Sequence, residues 1–224
     1  MNTNATESVR DCLPQQTVAY PSFSERMRPR CIDELLLPDP LLRSFAKMKD
    51  SKSIKNMIFH GTPGTGKTTC AKLLSDAYDV LSLHVPAQSS ISSVRFQIAL
   101  FSGAVSLFDE PKVVILEEAS FLHRDLQAEL RGVIESQIRN CRFLMTCNEL
   151  SKIDPAIQSR CLPIAFDVPF ARLPEALAKT KRLIHSRLVE VDAEIDDSRL
   201  DEILASSFPD FRRIANVIDI ELGL

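Results

Sequence analysis

The stretch Gly61-Thr62-Pro63-Gly64-Thr65-Gly66-Lys67-Thr68 fits the pattern G-x-x-x-x-G-K-[ST] and decides how the rest of the chain is interpreted. A short apolar run over 57–59 precedes it, and an alanine- and leucine-rich helical pattern over 69–78 follows it. In such a loop the glycines let backbone N–H groups close around phosphate oxygens, while Lys67 supplies positive charge and the Thr68 hydroxyl coordinates Mg²⁺. The alternative is a plain glycine turn beside a lysine. The strand before the loop and the helix after it favour a site for a nucleoside triphosphate.

Length and charge leave room for one sizeable domain and a small second one. The chain has 224 residues and a net charge of −3, so it can bury roughly 70% of its unfolded surface but has no global basic field for nucleic acid. Any contact with DNA must come from local arginines and helix ends. The segment 96–108 is uncharged but shorter than the ~20 residues of a membrane span, and the N-terminus has no signal pattern. We expect no membrane contact and a cytoplasmic location, in the host cell if the protein is viral.

The cysteines show neither a C-x-x-C pair nor the spacing of a zinc site. Several of them lie inside apolar runs, so we expect reduced, buried thiols in a cytosolic protein. The six positions are Cys12, Cys31, Cys70, Cys141, Cys147 and Cys161.

Hydrophobic periodicity predicts an α/β fold followed by a helical domain. Strands are predicted at 57–59, 81–85, 112–116, 141–147 and 162–166, and helices at 40–49, 69–78, 92–106 and 124–138. Strands that are apolar on both faces predict a parallel sheet covered by helices, with ligands at the carboxyl ends of the strands. Helices at 174–191, 198–206 and 209–222, with prolines at helix starts, predict a small three-helix domain. The expected domains are a mobile polar tail (1–22), a nucleotide-binding domain (23–168) and a helical lid (169–224).

Two acids end the apolar strand at 112–116. A strand end beside the phosphates is the expected place to hold Mg²⁺ and to polarise an attacking water. We therefore interpret Glu117 as the acid on the magnesium side and Glu118 as the general base or water-orienting residue. The alternative is that both are solvated acids that open a helix.

Other polar residues gain a role only in phosphoryl transfer. Asn148 follows the strand at 141–147 and would point its amide at the γ-phosphate or at the attacking water, although a lone asparagine more often forms a turn. Arg160 closes a short helix and is either a solvated cation or an arginine finger inserted into a neighbouring subunit's site. Arg212 and Arg213 lie at the start of the last predicted helix. They are either surface charges or contacts to phosphate, and the sequence favours neither interpretation.

Taken together, these motifs resemble the AAA+ ATPase subunits of sliding-clamp loaders. Their order and spacing match from about 24 to 222. The resemblance rests on Glu25-Arg26-Met27-Arg28-Pro29, the GTPGTGKT loop, VVILEEAS, Thr146-Cys147-Asn148, Ser159-Arg160-Cys161 and Phe208-Pro209-Asp210-Phe211-Arg212-Arg213. The last segment is most similar to the loader ATPase of T-even-like bacteriophages, which implies a viral replication protein.

The resemblance implies a P-loop NTPase (AAA+) fold with a helical lid, and it implies roles for single residues. Glu25, Arg26, Met27 and Leu36 would line the adenine pocket, and Gly64, Thr65, Gly66, Lys67, Thr68 and Thr69 would hold the phosphates of ATP with Mg²⁺. Glu117 and Glu118 match the acidic strand end, Asn148 the first sensor, Arg160 the finger acting in the adjacent subunit, and Arg212 the second sensor. Arg95 matches a position from which loaders hold the DNA backbone, where a helix start and a guanidinium suit phosphate; otherwise it is a surface cation.

The leading hypothesis is an ATP-hydrolysing subunit of a ring-like clamp loader. It would bind other loader subunits, the sliding clamp and primer–template DNA, and would load the clamp in DNA replication. One alternative is an ATP-binding ring member with little hydrolysis. It is favoured by Glu117, where the family usually has Asp, by Met27 in place of a tyrosine, and by the expectation that no collar domain follows Leu224. The other alternative is another AAA+ ATPase acting on DNA, such as a helicase loader or a branch-migration motor.

Overall fold

The computed structural model describes residues 22–87, 90–104 and 111–223. The predicted tail over 1–22 lies outside the described residues except for residue 22. Cys12 and the end of the helix predicted at 92–106 also lie outside them.

Five parallel strands form one sheet in the order β2-β3-β4-β1-β5. Their bounds are β1 Met57–His60, β2 Val80–His84, β3 Lys112–Glu117, β4 Cys141–Cys147 and β5 Leu162–Ala165. The predicted parallel sheet is confirmed. Because β1 lies between β4 and β5, the loop after β1 emerges beside the carboxyl end of β4.

Helices connect the strands and follow the sheet. Their bounds are α1 Phe23–Arg26, α2 Asp39–Asp50, α3 Lys67–Ser75, α4 Ile91–Gly103, α5 Arg124–Ser136, α6 Pro155–Gln158, α7 Leu173–Val189, α8 Asp197–Ser207 and α9 Phe211–Leu222. In the part of the chain that the structure describes, none of these helices has the length and apolarity needed to cross a membrane.

The sheet is buried on both faces, which explains why its strands are apolar throughout. Alternate residues of a strand point to opposite faces: Val114 and Leu116 pack with α4, α5 and α6, whereas Val113 and Ile115 pack with α2 and α3. On the α2 side, Phe59 makes edge-on ring contacts with neighbouring phenylalanines at centroid distances of 6.1 and 5.4 Å.

The last three helices enclose a separate core. Ile184, Leu200 and Ile214 are fully buried in this core. Phe23 and Met27, from the start of the described chain, pack into it. The helix α1 therefore packs with the helices at the other end of the chain.

Some predicted element boundaries were wrong, each for a local reason. The last helix begins at Phe211 and not at Pro209, because the Asp210 side chain caps it by accepting hydrogen bonds from the backbone N–H groups of Arg212 and Arg213 at 3.0 and 3.1 Å. The helix after the glycine loop begins at Lys67, inside the motif, because Gly66 in the left-handed region forms its N-cap.

The cysteine prediction is confirmed for four residues and wrong for one. Cys70, Cys141, Cys147 and Cys161 are free and buried, and burial raises the thiol pKa of Cys141 and Cys147 to about 11 and that of Cys161 to about 12. Cys31 is exposed, because it lies in extended chain ahead of a 3₁₀ turn whose inward residue is Ile32.

Candidate nucleotide site

The loop between β1 and α3 is rich in glycines with left-handed backbone angles. Gly61, Gly64 and Gly66 have φ angles of +128°, +74° and +92°, a region that side chains with a Cβ rarely adopt. The first end of the loop is tied to the segments that follow β4 and β5: the Gly61 N–H donates to the Asn148 carbonyl at 3.3 Å and the Thr62 N–H to an Asp167 carboxylate oxygen at 2.8 Å. The predicted phosphate loop thus combines left-handed glycines with two backbone hydrogen bonds to the neighbouring segments.

Lys67 lies inside this loop. The residue is only 8% exposed. Its Nζ donates hydrogen bonds to the carbonyls of Gly61 and Thr62 at 2.8 and 2.7 Å. An ammonium has three donors, so among the described residues one remains for a phosphate oxygen. Burial lowers the pKa of Lys67 below its ordinary value of 10.5, and nearby Cys147 and Asp167 partly offset that effect.

A cleft that is open to solvent lies between the loop, the segment 24–36 and the start of α9. One end is apolar and the other is the glycine loop, which suits a flat base joined to a chain of phosphates. Its lining residues are Ser24, Met27, Arg28, Pro29, Glu34, Leu35, Leu36, Gly64, Thr65, Gly66, Lys67, Thr68, Thr69, Phe211 and Arg212.

Most of the residues predicted for nucleotide binding line this cleft. Glu25 and Arg26 do not: they lie on α1, where the exposed Glu25 pairs with Arg28 at 2.6 Å. The hydrogen bond from Arg28 holds the pKa of the Glu25 carboxyl below its usual value. Arg28, Leu35 and Phe211 were not singled out from the sequence, although their places beside Met27, Leu36 and Arg212 are a signal that could have identified them.

The start of α9 contacts the glycine loop directly. The Phe211 N–H donates to the Gly64 carbonyl at 3.2 Å, and a Cβ built on Gly64 would lie 1.9 Å from a carboxylate oxygen of Asp210. This close approach brings Arg212 to the cleft that the loop forms.

The predicted acids and Asn148 lie at the same edge of the sheet, because β3, β4 and β1 are adjacent. Glu117 is the last residue of β3; its carboxylate accepts a hydrogen bond from Ser82 at 3.1 Å and lies 3.5 Å from the Lys72 ammonium. Glu118 adopts the left-handed region, with φ of 58°, and its N–H donates to the Thr146 hydroxyl at 3.2 Å. Its carboxylate and the Asn148 amide are on exposed residues at this edge.

A magnesium ion shared with a nucleotide would need few protein ligands at this edge. Within the described ranges, no group of three His, Cys, Asp or Glu side chains could hold a metal ion by itself. Mg²⁺ commonly takes only one or two protein oxygens and fills its octahedron with phosphate oxygens and water. Thr68 at the loop and Glu117 at the strand end would be those protein ligands, and the bound ion would neutralise charge on the phosphates.

Arg160 lies outside the cleft. It follows α6, its side chain is 29% exposed, and it forms an ion pair with Glu135 of α5. Its Nε donates to a Glu135 carboxylate oxygen and its Nη1 to the Ala156 carbonyl, both at 2.6 Å. The guanidinium is therefore held by its own chain and does not face its own cleft.

Arg95 is also apart from the cleft. It lies on α4 with a side chain 52% exposed, and it forms an ion pair with Glu129 of α5 at 2.5 Å. The positive charge predicted to contact DNA is thus partly neutralised within the chain.

Known proteins resemble the chain over most of its length. Probable replication factor C subunit 5 of Dictyostelium discoideum is 31% identical over 204 residues, which are 87% of this chain and 57% of that protein. The replication factor C small subunit of Archaeoglobus fulgidus is 30% identical over 207 residues, 87% of this chain and 61% of that protein. Human replication factor C subunit 5 is 33% identical over 203 residues, 87% of this chain and 58% of that protein. The chain spans less than two thirds of the length of these relatives.

Solved structures and a family model agree on the fold. A variant of RuvB from Thermotoga maritima superposes with a TM-score of 0.63 and 18% identity, covering 85% of this chain and 63% of that one, which shows a shared fold. The model of the ATPase family associated with various cellular activities (AAA) matches residues 57–168, half of the 224 residues. Because this match runs from β1 through the loop and both strand-end acids to the segment after β5, the chain belongs to the AAA family of ATPases.

Proposed function

We propose that the chain is an ATPase subunit of a sliding-clamp loader, which uses ATP binding and hydrolysis to open a polymerase processivity clamp and load it onto primer–template DNA. The similarity to replication factor C subunits along 87% of the chain supports this proposal. The observation that carries the ATPase part is the buried Lys67 within its glycine cradle, with acids at an adjacent strand end and α9 against the loop.

The residues would divide the work as follows. The adenine would pack against Met27 and Leu36, and the triphosphate would lie along the loop, where Lys67 and the start of α3 place positive charge. Water would attack the γ-phosphorus while the bond to the β-phosphate oxygen breaks. Glu118 would accept the proton of that water, and Asn148 would orient it.

Two arginines would complete the site from opposite directions. Arg212 comes from α9 of the same chain and would sense the nucleotide, so that ATP binding moves the helical lid. Arg160 does not line its own cleft and would act on the ATP of a neighbouring subunit, where negative charge develops in the transition state. Hydrolysis would then require assembly.

DNA contact would be local and weak in a single subunit. The net charge of −3 gives no global attraction to phosphate, and Arg95 is already paired with Glu129. Primer–template DNA would have to compete with that carboxylate, so several subunits would be needed to hold it. A viral origin, suggested by the resemblance of the 208–213 segment, stays a prediction.

The first test is steady-state ATP hydrolysis by the purified chain, alone and with the sliding clamp and primed DNA of its replication system. We expect stimulation by clamp and DNA. Lys67→Ala should abolish ATP binding, whereas Glu118→Gln should bind ATP but turn over about 10²-fold or more slowly, since it loses the proton acceptor. Stimulated turnover that survives in Glu118→Gln would contradict the assignment.

A second candidate function is an ATP-binding ring member that hydrolyses little. It is favoured by Glu117, which is one methylene longer than the aspartate of the resembled family and engages Ser82 and Lys72. ATP-dependent assembly without turnover, under every combination of clamp and DNA, would favour this second function over the first.

A further inference from the structure

The guanidinium of Arg160 is almost fully engaged within its own chain. Of its five N–H donors, Nε and one Nη2–H go to the same oxygen of Glu135, and Nη1 donates to the Ala156 carbonyl at 2.6 Å and to the Ser159 hydroxyl at 3.2 Å. Among the described residues, one Nη2–H is left. An arginine held in this way can offer a single hydrogen bond to a phosphate unless it leaves Glu135.

Glu135 is fixed on a rigid element. It lies in the last turn of α5, whose Leu130 and Ile134 are 1% and 2% exposed in the core of the sheet. Its own side chain is 55% exposed, so the pair with Arg160 is reached by solvent and contributes little to folding stability. The role of Glu135 is therefore to be sought in what it does to Arg160.

A carboxylate and a phosphoryl group compete for the same donors. Both are anionic and both accept paired hydrogen bonds from a guanidinium. While Arg160 is paired with Glu135, its charge is neutralised and most of its donors are engaged, so it is a poor stabiliser of charge in a neighbour's site.

We propose that Glu135 is a positioning residue that restrains Arg160 and releases it only to the phosphoryl group of ATP bound in an adjacent subunit. The strength of the Glu135–Arg160 pair then sets how readily an assembled site hydrolyses ATP. This inference rests on the proposed function, because it requires Arg160 to act in the neighbouring subunit.

The test separates the subunit that donates the arginine from the subunit that binds ATP. The acceptor is Arg160→Ala, which keeps its cleft but has no finger. The donor is Lys67→Ala, which keeps Arg160 but cannot hold ATP. In a mixture with clamp and primed DNA, hydrolysis can come only from acceptor clefts served by donor arginines. The rate is measured as the donor concentration is raised.

Adding Glu135→Gln to the donor should raise the hydrolysis rate at saturating donor by roughly two- to fivefold, the size expected for an exposed ion pair. The amide keeps an acceptor and the volume of the side chain but removes the charge. Glu202→Gln is the matched control: it removes one carboxylate of an exposed arginine pair on α8 and should leave the curve unchanged. Thermal melting of all three donors should coincide.

Three results would overturn the inference while leaving the ATPase proposal intact. If the Glu135→Gln donor gives the same curve as its parent, the pair does not restrain Arg160; if it gives a slower rate, Glu135 aims the arginine instead. If the mixture of donor and acceptor hydrolyses no ATP while the wild-type protein is active, Arg160 does not act between subunits. An inactive wild-type protein in every condition would instead remove the proposed function, and this inference with it.

Discussion

At the scale of single residues, the buried ammonium of Lys67 links ATP binding to pH. Because burial lowers its pKa, the free protein loses this proton at a lower pH than an ordinary lysine, whereas bound phosphate favours the charged form. ATP affinity should therefore fall as the pH rises through that lowered pKa, and binding there should take up a proton. Titration calorimetry in buffers of different ionisation enthalpy measures this uptake. An affinity that stays constant up to the ordinary value of 10.5 would contradict the prediction.

The described cysteines should differ sharply in reactivity. Cys31 is exposed, whereas Cys70, Cys141, Cys147 and Cys161 are buried. Burial raises the pKa of the Cys147 thiol to about 11, so little thiolate is present near neutral pH. Alkylation of the native protein, followed by peptide mapping, should label Cys31 and spare the other four. Denatured protein serves as the control and should be labelled at all six cysteines of the sequence. Fast native labelling of Cys147 would show that the strand end beside the loop opens.

The sequence predicted the residues that follow a motif but not those that meet through the fold. Lys67, Glu117 and Asn148 could be proposed as site residues because each occupies a fixed place after a strand or within a loop pattern. Glu135 was not found, because it lies 25 residues from Arg160. No local spacing indicates a pair that forms only when α5 and α6 pack together.

At the scale of elements, two glycines that look alike in sequence have opposite requirements. Gly64 has φ of +74°, and an added Cβ would lie 1.9 Å from the Asp210 side chain. Gly64→Ala should therefore weaken ATP binding and cost about 1–2 kcal/mol in backbone strain, before the displacement of α9 is counted. Gly132 lies inside α5 with nothing near its added Cβ, and Gly132→Ala should stabilise the protein by about 0.5–1 kcal/mol.

Denaturant unfolding and ATP titration of the two alanine variants check this contrast. Gly132→Ala controls for the substitution itself, since both variants add one methyl group. Tight ATP binding by Gly64→Ala would show that α9 does not rest on the loop as the structure has it.

Element boundaries were predictable where one local signal dominates. The strand at 141–147 was predicted to the residue because its apolar run ends in polar residues on both sides. The last helix was misplaced by two residues because Pro209 attracted the prediction, whereas the side chain of Asp210 provides the cap. A proline and a capping aspartate side by side give competing signals that only the backbone geometry resolves.

At the scale of the whole molecule, alternating strands and helices predicted a parallel sheet but not its strand order. The order places β4 between β3 and β1, so that Glu117, Asn148 and the glycine loop converge on one edge. The packing of α1 among the last three helices also escaped the sequence, since four residues at 23–26 carry too little pattern. Both features depend on contacts between distant segments.

One such contact connects the cleft to α7. Arg187 of α7 is 5% exposed, and it binds Glu34 at 2.6 Å and Glu190 at 3.2 Å. Glu34 lines the cleft just before Leu35 and Leu36, so this arginine holds the apolar end of the nucleotide site against α7.

Arg187→Ala should therefore lower both the stability of the fold and its affinity for ATP. Removing one partner leaves carboxylates facing a nearly buried gap, which should cost about 2–4 kcal/mol, somewhat less than a fully enclosed pair because Glu34 is partly exposed. Arg199→Ala is the matched control, since Arg199 also pairs with two glutamates but is 47% exposed, and its loss should change melting little. Thermal melting and ATP titration of both variants decide the matter. If both variants lose the same stability and affinity, the ion pairs of Arg187 contribute no more than those of an exposed arginine. If Arg187→Ala is destabilised but binds ATP as tightly as the wild-type protein, Arg187 does not couple α7 to the base pocket.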